Sequence, residues 1–426
     1  MKTSLRTAWW LAVLLIPVAL AVVNSLSGLR SSEANFYDGR HFVVASNLFL
    51  KRESPYNLEL YRQRMLEFQD LGGGKELDHK VEAFVYPPAT LLVFSPLALV
   101  DYAGAKKLVN GVNVVIMPLL FWMLLLLIAN AATSSLKSPG NFSEKFPLQG
   151  RHGAIVITAL GVGFLHAAFP ATLTLGQSSL MVFLGLAGVA LFAQRGGLAA
   201  VCLFSLLAFI KPQITLLPIL IYLVATRKWR ELVWIFITVA TVNAAAVAWM
   251  YHPGFFEELI SAVSRYRSLE PNLDQKTYGA LMLAERLQLP KWIITAIIIL
   301  SIGTLGVLSV RNRRIPPHLL LAAAVMVELA FFPLHYYDFV FIPLVLIAIS
   351  AASPTIGIAA AAGFALVCRG SVTEKLLGIV HWQGLDAQFL HGLYMTCLFF
   401  ALAVYFAVHA LKFRTVDGGE MTRVAQ

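Results

Sequence analysis

Apolar residues run through long stretches of this chain, and polar residues gather between them. Trp9–Val23, Val114–Ile128 and Ile293–Leu308 are predominantly apolar. With their flanks, such runs reach the roughly 17–25 residues that a helix needs to cross hydrocarbon. A transmembrane barrel would show short alternating segments instead. The pattern therefore predicts an all-α polytopic membrane protein, a single integral membrane domain over residues 1–426 with about twelve spans. These fall near 7–27, 107–130, 153–168, 178–194, 197–210, 213–226, 231–250, 290–310, 317–334, 338–352, 355–369 and 388–411. Several are short, and the pair over 197–226 has only Lys211-Pro212-Gln213 in which to turn, where proline ends the preceding helix. Short spans accompany a cavity that reaches into the membrane, since only there is irregular backbone hydrated or buried.

The polar punctuation gives an orientation. Arg311-Asn312-Arg313-Arg314 and Arg227-Lys228-Trp229-Arg230 are the densest basic turns and mark the cytoplasmic face, as do Lys137, Lys145 and Arg151 in the 131–152 loop and Lys412 and Arg414 near the C-terminus. The opposite face then collects a first outer loop over 28–106, the turn Phe164–Ser178, Lys211-Pro212-Gln213, a second outer loop over 251–289, His335–Asp338 and 370–387. Within the first outer loop, Phe42, Ala45 and Phe49, with Val44 and Leu48, recur at helical spacing and predict a surface-lying juxtamembrane helix over 36–50. Ala89–Val100, after Pro87-Pro88, reads as a second helix along the interface. Gly72-Gly73-Gly74 is a joint between them, not a phosphate loop, because no strand precedes it.

Composition sharpens the class. Only 13% of the 426 residues are charged and the mean hydropathy is +0.73, against roughly 25% charged residues in a soluble domain. The formal charge of +10 is dispersed in short clusters between apolar runs, which is the signature of membrane orientation and not of nucleic-acid binding. Cys202, Cys368 and Cys397 lie in apolar stretches without CxxC spacing and read as buried thiols. Lys2 and Arg6 ahead of Ala8–Val23 resemble a signal peptide, and the many later spans favour an uncleaved anchor.

Candidate chemistry sits on the outer face. Asp38, within Asn35-Phe36-Tyr37-Asp38-Gly39-Arg40-His41, is either a helix N-cap or a catalytic base flanked by Tyr37, Arg40 and His41. His335-Tyr336-Tyr337-Asp338 joins two apolar spans, where an ionisable group is costly unless paired or wet. Lys211 is either a snorkelling side chain or a buried cation at the tip of a helical hairpin. Gly176-Gln177-Ser178 closes a turn after Pro170. Arg265, Arg267 and Lys276, with His252 and Tyr266, make the second outer loop basic and aromatic, suited to an anionic group. No HExxH, DxD or paired-His spacing supports a metal site on this face, and no cofactor is expected.

The early loop Asp, the FxYPP string Phe84-Val85-Tyr86-Pro87-Pro88, Gly176-Gln177, Lys211-Pro212 and the late HxYD string of His335, Tyr337 and Asp338 follow one another in this order. Together they resemble glycosyltransferase family 87, of the GT-C superfamily of polyprenyl-phosphate-sugar-dependent transferases. The resemblance implies a GT-C-like helix bundle in a bacterial cytoplasmic membrane, with the active site facing the periplasm. It implies transfer of a hexose, mannose in characterised relatives, from a polyprenyl-phosphate donor to a lipid or glycan acceptor. It maps Asp38 onto the catalytic base and places Lys211 and His335 near the donor phosphate, with Arg265 and Arg267 as further cations. Tyr37, Arg40, Tyr86, Gln177, Tyr337 and Asp338 are then expected around the substrates. The HxYD string departs from the family in carrying the bulky Tyr336.

The chemistry agrees. A sugar phosphate already has a good leaving group, so one carboxylate suffices to take the acceptor proton, whereas glycoside hydrolysis uses two. Fixed cations or histidines stabilise the departing phosphate. Two readings from other classes compete. A transporter or flippase of a lipid-linked or small polar substrate calls for polar residues deep within several spans, of which Asn243 and Glu328 are nearly the only ones, and for internal repeats, which are not evident. A scaffold of the envelope would use the outer loops as docking surface.

Overall fold

The computed structural model describes residues 19, 23, 26–29, 36–67, 83–135, 150–268, 277–311, 315, 317–366, 393–399, 401–402 and 405. The glycine joint Gly72-Gly73-Gly74, the 370–387 segment, most of the first predicted span and the centre of the 131–152 loop lie outside the described residues. The described chain is helical apart from one pair of two-residue strands. Four segments are long and apolar enough to cross a membrane, namely Tyr102–Ile128, Ile155–Leu175, Trp229–Met250 and Trp292–Val310, and shorter apolar helices accompany them. This is an all-helical, multi-pass membrane protein.

In chain order the helices are α1 (Tyr37–Leu50), α2 (Leu58–Glu67), α3 (Ala89–Phe94, continued by a 3-10 turn over Ser95–Leu99), α4 (Tyr102–Ser135), α5 (Gly150–Phe164), α6 (Ala168–Leu175), α7 (Ser179–Arg195), α8 (Leu198–Ala208), α9 (Pro212–Ala225) and α10 (Trp229–Met250). They continue as α11 (Phe255–Ser268), α12 (Ala280–Arg286), α13 (Lys291–Arg311), α14 (Pro317–Phe331), α15 (Ile342–Ala352) and α16 (Pro354–Leu366). Strand β1 (Thr277–Tyr278) pairs antiparallel with β2 (Leu334–His335), Thr277 opposite His335, and a 3-10 turn over Tyr336–Phe341 leads from β2 into α15.

Helices apolar on every face belong in the interior. Accordingly α7 is buried along nearly all its length, and α14 from His318 to Phe331. In lipid, where apolar burial alone does not drive helices together, small residues let backbones approach closely. A Cβ on Gly185 would lie 2.2 Å from the Ala208 backbone nitrogen, and one on Gly188 would lie 2.2 Å from the Phe204 ring, so α7 and α8 meet backbone to backbone. Helices α4, α9 and α8 complete the packing around α7, and α9, α13 and α15 pack on α14. Helices α10 and α13 turn Trp234, Phe236 and Ile237, and Trp292, Ile299 and Leu300, outward; these are the faces expected to meet lipid.

The outer loops fold back over one end of this bundle. Helix α1 is where the spacing places it, but it is buried and does not lie on a surface. Phe42, Val43, Val44, Ala45 and Leu48 are all buried, Phe42 stacks on Phe94 at 4.1 Å, and Ser46 donates to the Phe94 carbonyl at 2.9 Å. The apolar residues of 36–50 occupy more than one face, and α2, α3 and the bundle cover them. The α3 segment is two-sided, as expected, with Leu91, Phe94 and Leu97 inward and Leu92 and Leu99 outward. Its first turn is held by Asn243 of α10, whose Oδ1 accepts the Ala89 N–H at 3.0 Å. A polar side chain inside an apolar run thus caps a neighbouring helix. The two outer loops are tied together by Asn57 donating to Glu258 at 2.6 Å, and the first is tied to the end of α10 by the Trp249 indole donating to the Phe49 carbonyl at 2.9 Å.

Candidate active site

Two glycines and one phenylalanine fix the position of the early carboxylate. Phe36 precedes α1, and its ring fills the space where a Cβ on Gly39 or on Gly176 would stand, at 2.3 Å in both cases. Gly176 ends α6 in the left-handed conformation (φ 70°) that favours glycine. The turn carrying Gln177 is therefore locked against the first turn of α1, which carries Asp38. Asn113 of α4 secures the same turn by donating from Nδ2 to the Gln177 backbone carbonyl at 3.2 Å.

At the N-terminal end of α9, Pro212 occupies the first helical turn and Lys211 precedes it. The Lys211 ammonium is buried. It donates to Asp338 Oδ1 at 2.8 Å and to Ser179 Oγ at 2.9 Å, and it lies 4.5 Å from the centre of the Tyr337 ring. Ser179 in turn donates to Asp338 Oδ1 at 2.8 Å, while Asp338 Oδ2 accepts the His335 backbone N–H at 3.2 Å. Three hydrogen bonds thereby fix the Asp338 carboxylate. A buried charge pair persists only with such geometry. The His335 ring stacks on Tyr337 at 5.2 Å, and its Nε2 lies 3.4 Å from the Tyr266 hydroxyl.

These groups line one cavity of about 590 Å³, bordered by Asp38, His41, Phe84–Pro87, Gln177, Ile210–Gln213, Val263, Tyr266, Met282, Glu285 and Pro333–His335 with Tyr337 and Asp338. That volume lies within the range of small-molecule sites, roughly 300–1,000 Å³. All the lining segments come from the face to which the charge pattern assigned the polar loops. Asp38 is half-buried, and its charge acts on the phenols of Tyr86 and Tyr337. Burial first, and the Asp38 charge second, hold the Tyr86 phenol well above the usual tyrosine range. Tyr86 is therefore a neutral hydroxyl facing a carboxylate.

Seven of the sequence-selected residues line this cavity: Asp38, Tyr86, Gln177, Lys211, His335, Tyr337 and Asp338. Arg40 and Arg265 do not. Each lies on a helix beside residues that do line it, and residues two apart or adjacent do not share a helix face, whereas those three apart do. Asp38 and His41 point in together and Arg40 does not; Val263 and Tyr266 do so and Arg265, which is exposed, does not. The side chains of Tyr37 and Arg267 lie outside the described residues. Asp338 lines the cavity and also holds Lys211. The sequence reading missed Ser179 and Glu285. Ser179 was visible as the last polar residue of Gly176-Gln177-Ser178-Ser179, and Glu285 was masked by the basic character of its loop. His41 is buried and paired with the Tyr61 hydroxyl through Nδ1.

No curated protein matches the chain. The model of glycosyltransferase family 87 matches residues 84–334, a segment that opens on Phe84 of the FxYPP string, takes in Gly176-Gln177 and Lys211-Pro212, and stops one residue before His335. Asp38 lies ahead of it. Because the match spans more than half of a helical membrane protein, and the cavity draws most of its walls from within it, the chain belongs to glycosyltransferase family 87.

Proposed function

We propose that this glycosyltransferase moves a hexose, mannose first, from a polyprenyl-phosphate-linked donor to a hydroxyl of a lipid or glycan acceptor. The sugar carbon is inverted, and the reaction takes place at the periplasmic face of a bacterial cytoplasmic membrane. On the same reading the chain is one integral membrane domain crossing about twelve times. The observation that carries the proposal is the shared cavity, in which a carboxylate from the first outer loop meets a lysine that precedes α9 and a histidine of β2.

Asp38 takes the acceptor hydroxyl proton as that oxygen attacks the anomeric carbon. The bond from that carbon to the phosphate oxygen breaks, and polyprenyl phosphate leaves with the electron pair. A single base is enough because the leaving group needs no proton. Charge grows on the departing phosphate, and donors already fixed in place stabilise it without reorganising. Lys211 supports this role because Ser179, Asp338 and the Tyr337 ring hold its ammonium at the cavity wall. His335 supports it through its stacking on Tyr337 and its contact with Tyr266.

The test is Asp38→Asn, assayed on purified protein with a panel of polyprenyl-phosphate sugars. The release of polyprenyl phosphate should fall roughly 100- to 10,000-fold, the usual worth of a general base, while the variant unfolds at the wild-type temperature. Undiminished turnover in that variant removes Asp38 from the reaction.

A further inference from the structure

We infer that Gln177 is a specificity-determining residue, its side-chain carbonyl accepting a hydrogen bond from one hydroxyl of the transferred sugar. The inference rests on the proposed glycosyl transfer and adds to it the group that reads the sugar.

Gln177 is only 2% exposed, yet it lines the cavity. Among the described residues its Oε1 has no hydrogen-bond partner. A buried carbonyl left unsatisfied costs roughly 1–3 kcal/mol, and native structures rarely retain one without use. The side chain is not loosely placed. Its backbone carbonyl is held by Asn113, and the residue before it is a left-handed glycine wedged against Phe36 and Gly39. Gln177 is therefore held at the cavity wall with a side-chain acceptor that lacks a partner among the described residues.

Its neighbours say which part of the substrates it meets. On one side, Gly176 packs on Gly39, next to Asp38, which serves the attacking oxygen. On the other, two residues on, Ser179 belongs to the Lys211–Asp338 cluster on the leaving-phosphate side. The attacking and leaving oxygens stand on opposite faces of the anomeric carbon, so a group lying between base and cluster faces the sugar ring. Sugar hydroxyls are donors, and the free group is an acceptor. A site that leaves a buried polar atom unpaired when its hydroxyl is missing discriminates far more strongly than an apolar pocket.

The experiment measures kcat/KM for release of polyprenyl phosphate from polyprenyl-phosphate-mannose and from its mono-deoxy analogues. It uses full-length wild type, Gln177→Leu and Gln177→Glu in lipid nanodiscs. Wild type should lose on the order of 100-fold with the analogue lacking the hydroxyl that meets Gln177. Gln177→Leu should be slow with mannose but show no further loss with that one analogue. Gln177→Glu, which keeps an acceptor oxygen, should retain the loss. Gln177→Leu should also unfold at or above the wild-type temperature, since the carbonyl serves no partner among the described residues. An unchanged pattern of deoxy losses in Gln177→Leu overturns the inference alone, as does failure of that variant to fold. Absence of turnover by wild type with any polyprenyl-phosphate sugar overturns the proposed function along with it.

Discussion

Replacing Lys211 by methionine removes one charge from a pair whose other member is buried. At 2.8 Å, the attraction between Lys211 and Asp338 is about 6 kcal/mol at an effective dielectric constant of about 20, and most of it offsets the cost of drying the two groups. The net effect of the intact pair on stability is therefore small, whereas stranding one partner costs about 3–5 kcal/mol. The two single losses are not equal. Lys211→Met leaves Asp338 with the Ser179 hydroxyl and the His335 N–H, which places it near about 3 kcal/mol. Asp338→Leu leaves the ammonium with only the Ser179 hydroxyl and the face of Tyr337, which places it near about 5 kcal/mol. The double variant, with two apolar side chains of similar size, should return to within about 1 kcal/mol of wild type. Denaturant unfolding of the purified protein in detergent, followed by tryptophan fluorescence, gives the four values of the cycle. The restored double variant should still release no polyprenyl phosphate, because the cation has gone from the cavity wall. Single losses below about 1 kcal/mol that simply add in the double variant would refute the argument, since a dry, well-aligned pair must couple.

Two further outcomes follow from the same geometry. Gly176→Ala forces a Cβ to 2.3 Å from the Phe36 ring at a φ of 70°; it should cost on the order of 1–3 kcal/mol and lower turnover, and adding Phe36→Leu should recover part of the melting temperature, an effect that strictly additive losses would contradict. Tyr56 and Tyr86, both held above the ordinary tyrosine range chiefly by burial, stabilise the fold as neutral phenols: that contribution is complete below about pH 10 and lost as pH rises from there toward their folded values, so a series of melting temperatures should fall above about pH 10 and fall less steeply in Tyr86→Phe.

How far the sequence could be read depended on whether a signal was local. The apolar runs and the charge pattern are local, and they placed α4, α5, α7 to α10 and α13 to α16, whereas α6, α11 and α12 fall inside segments read as a turn and an outer loop. The short strings around Tyr86, Gln177, Lys211 and His335 were likewise visible, and all four reach the cavity. Arg40 was selected for standing near Asp38 and Arg265 for the positive charge of its loop, whereas helical geometry brings residues three positions apart onto one face, and His41 and Tyr266 are the neighbours that line the cavity. The burial of α1 escaped notice because its cover comes from Phe94, Tyr86 and Trp249, far along the chain. The pairing of Lys211 with Asp338 was equally hidden, since nothing near either residue announces the other.

The strand pair that sets Thr277 against His335 has a bearing on how the enzyme is made. Asp38 leaves the ribosome in the first tenth of translation, but Asp338 emerges only in the last quarter. Until β2 finds β1, a nascent chain carries the base without the histidine or the oriented ammonium. An unfinished or prematurely halted product should therefore be inert, so turnover waits until the last quarter of the chain has been made.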